Sequence, residues 1–200
     1  MTAAGRPCLV ITTHASWHPP GMTRIRAVTT AELGEEGLAA LRGMVFGAFG
    51  GRFDEHDWEH MRGGVHLLVE EDDAVVAHGA VVPRVLAAGG RDLRTGYVEG
   101  VATRGDVRGR GLATLVMAEA GRVIGRGYEL GALADGTGIP GFYQRLGWQT
   151  WQGPTFVAGP EGRVRTAEED GNVLVLRTPA TADLDLAGPI TCDWRPGDVW

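Results

Sequence analysis

Residues 97–113 read Tyr-Val-Glu-Gly-Val-Ala-Thr-Arg-Gly-Asp-Val-Arg-Gly-Arg-Gly-Leu-Ala, and this stretch decides the fold. An apolar strand that carries one carboxylate, Glu99, runs through a polar turn into a loop of glycine and arginine. The loop opens onto residues whose apolar positions repeat with a helical period. Backbone N–H groups gathered at a helix start favour bound phosphate, because the helix dipole is positive there. The stretch therefore predicts a strand–loop–helix unit that holds phosphate.

The loop, Arg108-Gly109-Arg110-Gly111-Leu112-Ala113, fits the pattern R-x-x-G-x-A at the start of a helix. Its glycines let backbone N–H groups approach a pyrophosphate, and Arg108 and Arg110 add positive charge at the rim. A Rossmann dinucleotide site is not supported, because Thr114 occupies the last glycine position of G-x-G-x-x-G. The alternative is a glycine-rich turn that binds nothing.

The composition narrows the class of protein. Hydrophobic content of 44% and charged content of 22% are ordinary for a globular domain, and the apolar runs are too short to cross a bilayer. A net charge of −6 argues against a nucleic-acid binder. All 19 basic residues are arginine, which excludes a Schiff-base lysine and a Walker lysine. We recognise no signal peptide in the N-terminal residues. The two cysteines, Cys8 and Cys192, do not make a disulfide framework, so we expect a cytoplasmic protein.

Residues 1–22 show no sustained hydrophobic period, so we expect a flexible N-terminal extension before a single domain over residues 23–200. The hydrophobic pattern of this domain predicts the order β-α-α-β-β-β-α-β-α-β-β, with Thr29 and Asp54 as N-caps of the first two helices. A short helix over 139–146 and a strand over 148–158 belong to this prediction. Leu112 and Leu115 should lie on the buried face of the central helix. The fold class is α+β, with antiparallel meanders around one helical crossover.

Two histidines, His56 and His60, lie four residues apart on the second predicted helix, a spacing that can bind zinc. The sequence places no third ligand, and Glu59 is not where metalloprotease motifs require a glutamate. We therefore interpret the pair as polar helix surface and predict no metal.

Several stretches together resemble the GCN5-related N-acetyltransferases (GNAT). They are the strand 98–103, the R-x-x-G-x-A loop and Phe142-Tyr143-Gln144-Arg145-Leu146-Gly147-Trp148. Further stretches are similar to the aminoglycoside 2'-N-acetyltransferases, namely Asp57-Trp58-Glu59-His60, 96–102, 130–133, Gly153-Pro154-Thr155 and Cys192-Asp193-Trp194-Arg195. The resemblance covers roughly residues 24–200. It implies a GNAT fold with a mixed, mostly antiparallel sheet flanked by helices, acetyl-CoA as co-substrate, an aminoglycoside acceptor and a homodimer.

The resemblance also implies where acetyl-CoA binds. The cofactor would lie in the splay between the central strands, where backbone groups of Val101, Ala102 and Thr103 would pair with the pantetheine arm. The N–H of Val101 would stabilise the thioester oxyanion. The pyrophosphate would be held by Arg108, Gly109, Arg110, Gly111, Leu112 and Ala113. Transfer would be direct, in a ternary complex, with Cys192 structural rather than nucleophilic.

Two catalytic roles follow from the resemblance. Glu99 would take the proton of the acceptor amine, usually through water, and Tyr143 would protonate the departing thiolate. The alternatives without a catalytic role are that Glu99 is a strand carboxylate that faces solvent and that Tyr143 is an aromatic ring that packs beside Phe142.

An aminoglycoside carries several ammonium groups, so the resemblance implies an acidic pocket closed by the ring and terminal carboxylate of Trp200. Its expected residues are Asp57, Glu99, Gly100, Ala134, Glu169, Asp170, Asp198 and Trp200. Arg52 stands where the family can carry an aspartate and Ala134 where it often carries a serine, which leaves the range of drugs open. Two other functions also stay open, namely acetylation of another amine (cell-wall precursor, polyamine or protein) and a non-catalytic domain that binds acetyl-CoA or drug.

Overall fold

The structure, a computed structural model, describes residues 23–200; the predicted N-terminal extension lies outside the described residues. The helices are α1 (Thr30–Phe49), α2 (Glu55–Met61) and α3 (Leu112–Gly127). The strands are β1 (Arg24–Thr29), β2 (Val65–Glu71), β3 (Ala74–Ala88), β4 (Arg91–Thr103), β5 (Leu130–Ala134), β6 (Gln149–Thr150), β7 (Thr155–Gly159), β8 (Gly162–Arg165), β9 (Val173–Arg177) and β10 (Ile190–Asp193). These ten strands form one sheet.

The sheet opens between its two central strands. Its order is β6-β9-β5-β4-β3-β10-β7-β8, with β2 also on β3 and β1 on β2. Most pairs are antiparallel, whereas β4 pairs with β5 and β10 with β7 in parallel. The β4–β5 pairing ends at Tyr97 opposite Ala132, although β4 continues to Thr103. The strands therefore splay beyond Tyr97, and the predicted mixed, mostly antiparallel sheet is confirmed.

A bulge bends β4 at the splay. The register between β3 and β4 shifts where His78 faces Ala102 but Ala80 faces Glu99. Gly100 lies in the bulge with a φ of 57°, a left-handed conformation that glycine adopts without strain. A Cβ on Gly100 would lie 2.1 Å from the sulfur of Met61, so the packing of α2 also requires glycine.

Helices cover both faces of the sheet. Leu41, Val45 and Met61 of α1 and α2 share one buried cluster with Ala80 and Val82 of β3. On the opposite face, α3 buries Val116 and Ile124 together with Val81. Burial of each of these valine, leucine, isoleucine and methionine side chains stabilises the fold by roughly 1.5–3 kcal/mol. β3 and β4, with the bulge in their pairing, therefore lie between two packed layers of helices. No helix within residues 23–200 is long and apolar enough to cross a membrane.

The predicted helix starts were confirmed, because in each a side chain accepts hydrogen bonds from nearby backbone N–H groups. Thr29 with Glu32, and Asp54 with Asp57, form the capping boxes of α1 and α2. The prediction of Leu115 on the buried face of α3 was wrong, because its side chain is 45% exposed. The predicted helix over 139–146 is only a 3₁₀ turn, Gln144–Leu146.

The predicted strand over 148–158 is interrupted, and β6 and β7 are its two remnants. Between them the backbone N–H groups of Gln152 and Gly153 donate to Leu186. Gly153 passes so close to Gly188 that a Cβ would lie 1.9 Å from its carbonyl oxygen. A distant segment thus takes the chain out of the sheet, which no local pattern could indicate.

Candidate active site

Two cavities meet at the splay. The first, here called the loop cleft, has a volume of about 380 Å³ and runs from β4 over the glycine–arginine loop. The second, the acidic pocket, has a volume of about 350 Å³ and lies between β4, α2 and the C-terminal residues. Phe49, Arg52, Val101 and Thr137 line both. A molecule in one cavity can therefore touch a molecule in the other at Val101.

The loop cleft presents backbone at its narrow end. Gly109 and Gly111 have φ of 79° and 78°, the left-handed conformation that turns successive N–H groups to one side. Gly111 is also the N-cap residue of α3, and the first N–H groups of a helix have no partners within it. The cleft is lined by Val101, Ala102, Thr103, Arg108, Gly109, Gly111, Leu112 and Ala113. This arrangement fits an anionic, extended ligand such as a pyrophosphate with its pantetheine arm.

The two loop arginines lie in different places. Arg108 lines the cleft, where its guanidinium donates to the carbonyl oxygens of Ala48 at 2.6 Å and Thr103 at 3.3 Å. Arg110 instead forms a two-pronged ion pair with Glu71 at the end of β2, at 2.8 and 2.9 Å. Of the two arginines predicted at the rim, the structure brings only Arg108 to the cleft.

Glu99 lies in the acidic pocket directly before the bulge. Its side chain is 16% exposed, and Oε1 accepts a hydrogen bond from Nη1 of Arg195 at 2.5 Å. Burial raises the pKa of Glu99, and the positive charge of Arg195 partly opposes this rise. A carboxylate whose pKa is raised toward neutrality is a better proton acceptor. The sequence alternative of a solvent-facing strand residue is therefore not what the structure shows.

Arg195 is a residue of the site that sequence reasoning missed, although it lies in the quoted stretch Cys192–Arg195. Its guanidinium also donates to the main-chain oxygens of Asp198 at 2.8 Å and Trp200 at 2.9 Å. The buried indole of Trp200 donates to Thr166 at 3.0 Å. These contacts fold the last residues over the pocket, where Asp198 and Trp200 line the wall.

Tyr143 reaches the same pocket from the loop that precedes the 3₁₀ turn. Its ring packs edge-on against Phe142 at 5.0 Å and Trp148 at 6.4 Å between centroids. Burial, with a smaller contribution from the charge of Asp135, raises the pKa of the phenol. The hydroxyl therefore stays protonated at neutral pH and is available as a donor.

The remaining predicted pocket residues separate into two groups. Asp57, Gly100 and Ala134 line the pocket. The structure does not bring Glu169 and Asp170 to this wall. Asp170 pairs with Arg165 and accepts from the backbone N–H of Thr155 at 3.1 Å, whereas Glu169 accepts from the side chain of Asn172 at 2.9 Å. Asn172, which the sequence did not suggest, lines the pocket instead.

The two helix histidines contact the C-terminal segment. Nε2 of His60 lies 2.7 Å from the carbonyl oxygen of Pro196, and Gly197 packs so closely on His56 that a Cβ would lie 2.7 Å from it. Within residues 23–200, no group of three or more His, Cys, Asp or Glu side chains is arranged to hold a metal ion.

Comparison with known proteins gives a consistent result. Residues 24–151 match the acetyltransferase (GNAT) domain family. The chain is 47% identical over 177 residues to an aminoglycoside 2'-N-acetyltransferase from Mycolicibacterium fortuitum, covering 88% of this chain and 91% of that protein.

Solved structures share the fold. The GNAT family N-acetyltransferase YhbS from Escherichia coli, in complex with CoA, has a TM-score of 0.60 at 17% identity and covers 88% of this chain and 93% of that chain. A probable N-acyltransferase from Enterococcus faecalis has a TM-score of 0.55 at 16% identity over 65% of this chain. This chain spans 33% of that longer protein. The GNAT fold expected from the sequence is confirmed.

Proposed function

The chain belongs to the GNAT acetyltransferase family, and on that premise we propose that it transfers the acetyl group of acetyl-CoA to the 2'-amino group of aminoglycosides. The observation that carries the proposal is the position of Glu99. This buried carboxylate lines the acidic pocket two residues from Val101, which the pocket shares with the loop cleft. A carboxylate that could accept a proton thus lies where the two substrates would meet.

The loop cleft would hold acetyl-CoA, which supplies an activated acetyl thioester. The left-handed glycines and the start of α3 fit its pyrophosphate, and Arg108 adds positive charge beside them. The backbone of Val101 to Thr103 is free of β5 beyond the splay and would pair with the pantetheine arm. The N–H of Val101 would donate to the thioester oxygen. Arg110 would not contact the pyrophosphate, because its guanidinium is paired with Glu71.

The acceptor amine must lose a proton before it attacks the thioester. Glu99 would receive this proton directly or through one water molecule, and its raised pKa suits that role. Tyr143 would give its phenolic proton to the thiolate that departs. Transfer in a ternary complex needs no covalent intermediate, which agrees with a buried Cys192 whose pKa burial raises to about 11.

The acidic pocket would select a polycationic acceptor. Asp57, Glu99 and Asp198 line it, and their carboxylates complement ammonium groups. Arg52 lines both cavities and introduces a positive charge, so it would narrow the range of drugs that bind. Ala134 offers only its backbone at its position.

Turnover of acetyl-CoA against four acceptors tests the proposal. Tobramycin and gentamicin carry a 2'-amine, whereas kanamycin A carries a 2'-hydroxyl and serves as the matched control. We expect acetylation of the first two and none of kanamycin A. Turnover of a peptide amine alone would instead identify a different acceptor. Saturable acetyl-CoA binding without turnover of any amine would favour a non-catalytic domain.

The proposal extends to a cytoplasmic homodimer. The cytoplasm supplies acetyl-CoA, and the free, buried Cys192 suits a reducing compartment. One sheet face exposes Val85, with Ala87, Thr191 and Phe156 beside it by strand register. Arg163 and Arg165 lie over the Phe156 ring, so the apolar contact that this face offers a second copy is centred on Val85. Light scattering of the purified chain should give twice the monomer mass, and a monomer would contradict this part of the proposal.

A further inference from the structure

A row of hydrogen bonds crosses the interior and ends at the bulge of β4. Nδ1 of His78 lies 2.9 Å from the carbonyl oxygen of Gly100, and its Nε2 lies 3.0 Å from Nδ1 of His66. Nε2 of His66 lies 2.9 Å from the hydroxyl of Thr30, which accepts from the backbone N–H of Gly63 at 3.1 Å. Both imidazole rings are fully buried. The row therefore links the start of α1 to the strand that lines both cavities.

The chemistry of the groups fixes the direction of the row. A carbonyl oxygen can only accept, so His78 carries its proton on Nδ1. Burial lowers the pKa of His78 to about 3 and that of His66 to about 4, so both rings are neutral at physiological pH. A neutral His78 accepts at Nε2, and His66 then donates from Nδ1 and accepts from Thr30 at Nε2. Every donor points toward Gly100.

The row acts on one peptide group of the site. The carbonyl of Gly100 and the N–H of Val101 belong to the same planar trans peptide and therefore point in opposite directions. His78, on β3, holds the carbonyl toward β3. The N–H of Val101 is then turned away from β3, toward the gap between β4 and β5 where the two cavities meet. The left-handed Gly100 gives this peptide its unusual orientation.

We infer that His78 and His66 are positioning residues that aim and polarise the N–H of Val101 toward the thioester oxygen. This inference rests on the proposed function. Hydrogen bonds that share one direction polarise one another, so a donor on the Gly100 carbonyl makes the N–H of the same peptide a stronger donor. Neither ring lines either cavity, so both act through Val101 alone.

Infrared spectroscopy of bound acetyl-CoA tests the inference. The probe is acetyl-CoA labelled with ¹³C at the thioester carbonyl, whose stretching frequency falls when its oxygen accepts a hydrogen bond. We expect wild type to lower this frequency on binding. In His78→Leu the band should return toward that of free acetyl-CoA. Its kcat should fall on the order of tenfold, less than the roughly 10²-fold for loss of an oxyanion donor outright. The KM for acetyl-CoA should change by less than about twofold.

Two further variants separate positioning from a merely structural role. His78→Asn places an amide N–H near the position of Nδ1 and should keep most of the wild-type band shift. Thr30→Val removes the partly buried hydroxyl that donates to His66 and should give a smaller upward shift without loss of folding. Thr30→Val therefore tests the inference even if His78→Leu does not fold. A wild-type band in His78→Leu, or in Thr30→Val if His78→Leu does not fold, would overturn the inference.

The infrared measurement is made without any acceptor amine, so its result tests the inference independently of the proposed acceptor. If wild type lowers the band but acetylates only a peptide amine, the aminoglycoside proposal fails and the inference stands. If wild type binds acetyl-CoA and leaves the band at its free frequency, the inference fails and the acceptor assignment is untouched. Failure of wild type to bind acetyl-CoA would overturn both.

Discussion

The loop cleft and the acidic pocket share one strand, but they are built in different ways. One side of the cleft is the contiguous stretch 101–114, which offers mainly backbone N–H groups and two left-handed glycines, and residues near the end of α1 and in 137–142 complete it. The pocket gathers side chains from α2, β4, the 3₁₀ region and the C-terminal segment. The difference teaches that a site made of backbone is encoded locally, whereas a site made of charged side chains depends on how distant segments meet.

The largest effect should come from the pocket at Glu99. Glu99→Gln keeps the shape of the side chain but removes its capacity to accept a proton. We expect kcat with tobramycin to fall by about 10²-fold or more, as is usual when a general base is lost. The KM for acetyl-CoA should be unchanged, because Glu99 does not line the loop cleft. Glu129→Gln, in an ion pair with Arg91, is the matched control and should keep full activity.

Tyr143→Phe should have the next largest effect. It removes the hydroxyl while keeping the ring contacts with Phe142 and Trp148. We expect kcat to fall on the order of 10-fold to 10²-fold, because the thiolate loses its proton donor. Thermal unfolding should shift little. Tyr128→Phe changes a partly buried tyrosine outside both cavities and is the control. Equal rates in the two variants would refute the role of Tyr143 as an acid.

Removal of the charge of Arg195 should shift the pH profile. Burial raises the pKa of Glu99 and Arg195 opposes the rise, so Arg195→Met should raise this pKa further. Glu99 must be ionised to accept a proton, and the acid limb of kcat/KM should therefore move to higher pH. Arg165→Met breaks the ion pair with Asp170, outside both cavities, and should leave the profile unmoved. A shift to lower pH in Arg195→Met would contradict the pairing with Glu99.

The smallest effect should come from the backbone of the cleft. Gly111→Ala places a Cβ where φ is 78°, a conformation that costs a non-glycine residue about 1 kcal/mol. Nothing lies within 4 Å of the new Cβ, so the expected result is a several-fold rise in the KM for acetyl-CoA and no steric clash. The KM for tobramycin should not change. Gly125→Ala, within α3 and also without a near neighbour, should stabilise the helix and keep both KM values.

The sequence predicted the parts of the fold whose hydrogen bonds close locally. The capping boxes at Thr29 and Asp54 were confirmed because each side chain bonds a backbone N–H within three residues. β8 was missed because all four of its residues are exposed and show no alternation. β10 was missed because it is only four residues long, Ile190–Asp193, and its partners are β3 and the distant β7.

The same distinction holds for the site. The loop glycines could be found from their spacing, since a strand, a loop and a helix start follow one another along the chain, and the family resemblance implied the role of Glu99. The resemblance implied Asp170 at the pocket, but Arg165 and Thr155 hold it in the β7–β8 region. Arg195 was missed because an arginine is not expected in a pocket for cations. Only its contact with Glu99, 96 positions away, reveals its place.

The sequence by itself determined the strand, the loop and the helix of residues 97–113, because backbone geometry and glycine content act over a few residues. It also indicated one carboxylate at the right strand position. Tertiary structure alone decided which charges surround that carboxylate and which groups aim the peptide beside it. Arg195 and the His66–His78 pair reach β4 from other parts of the chain, and burial lowers the pKa of both histidines. Electrostatics in a buried site depend on the assembled fold, since the dielectric and the partners exist only there.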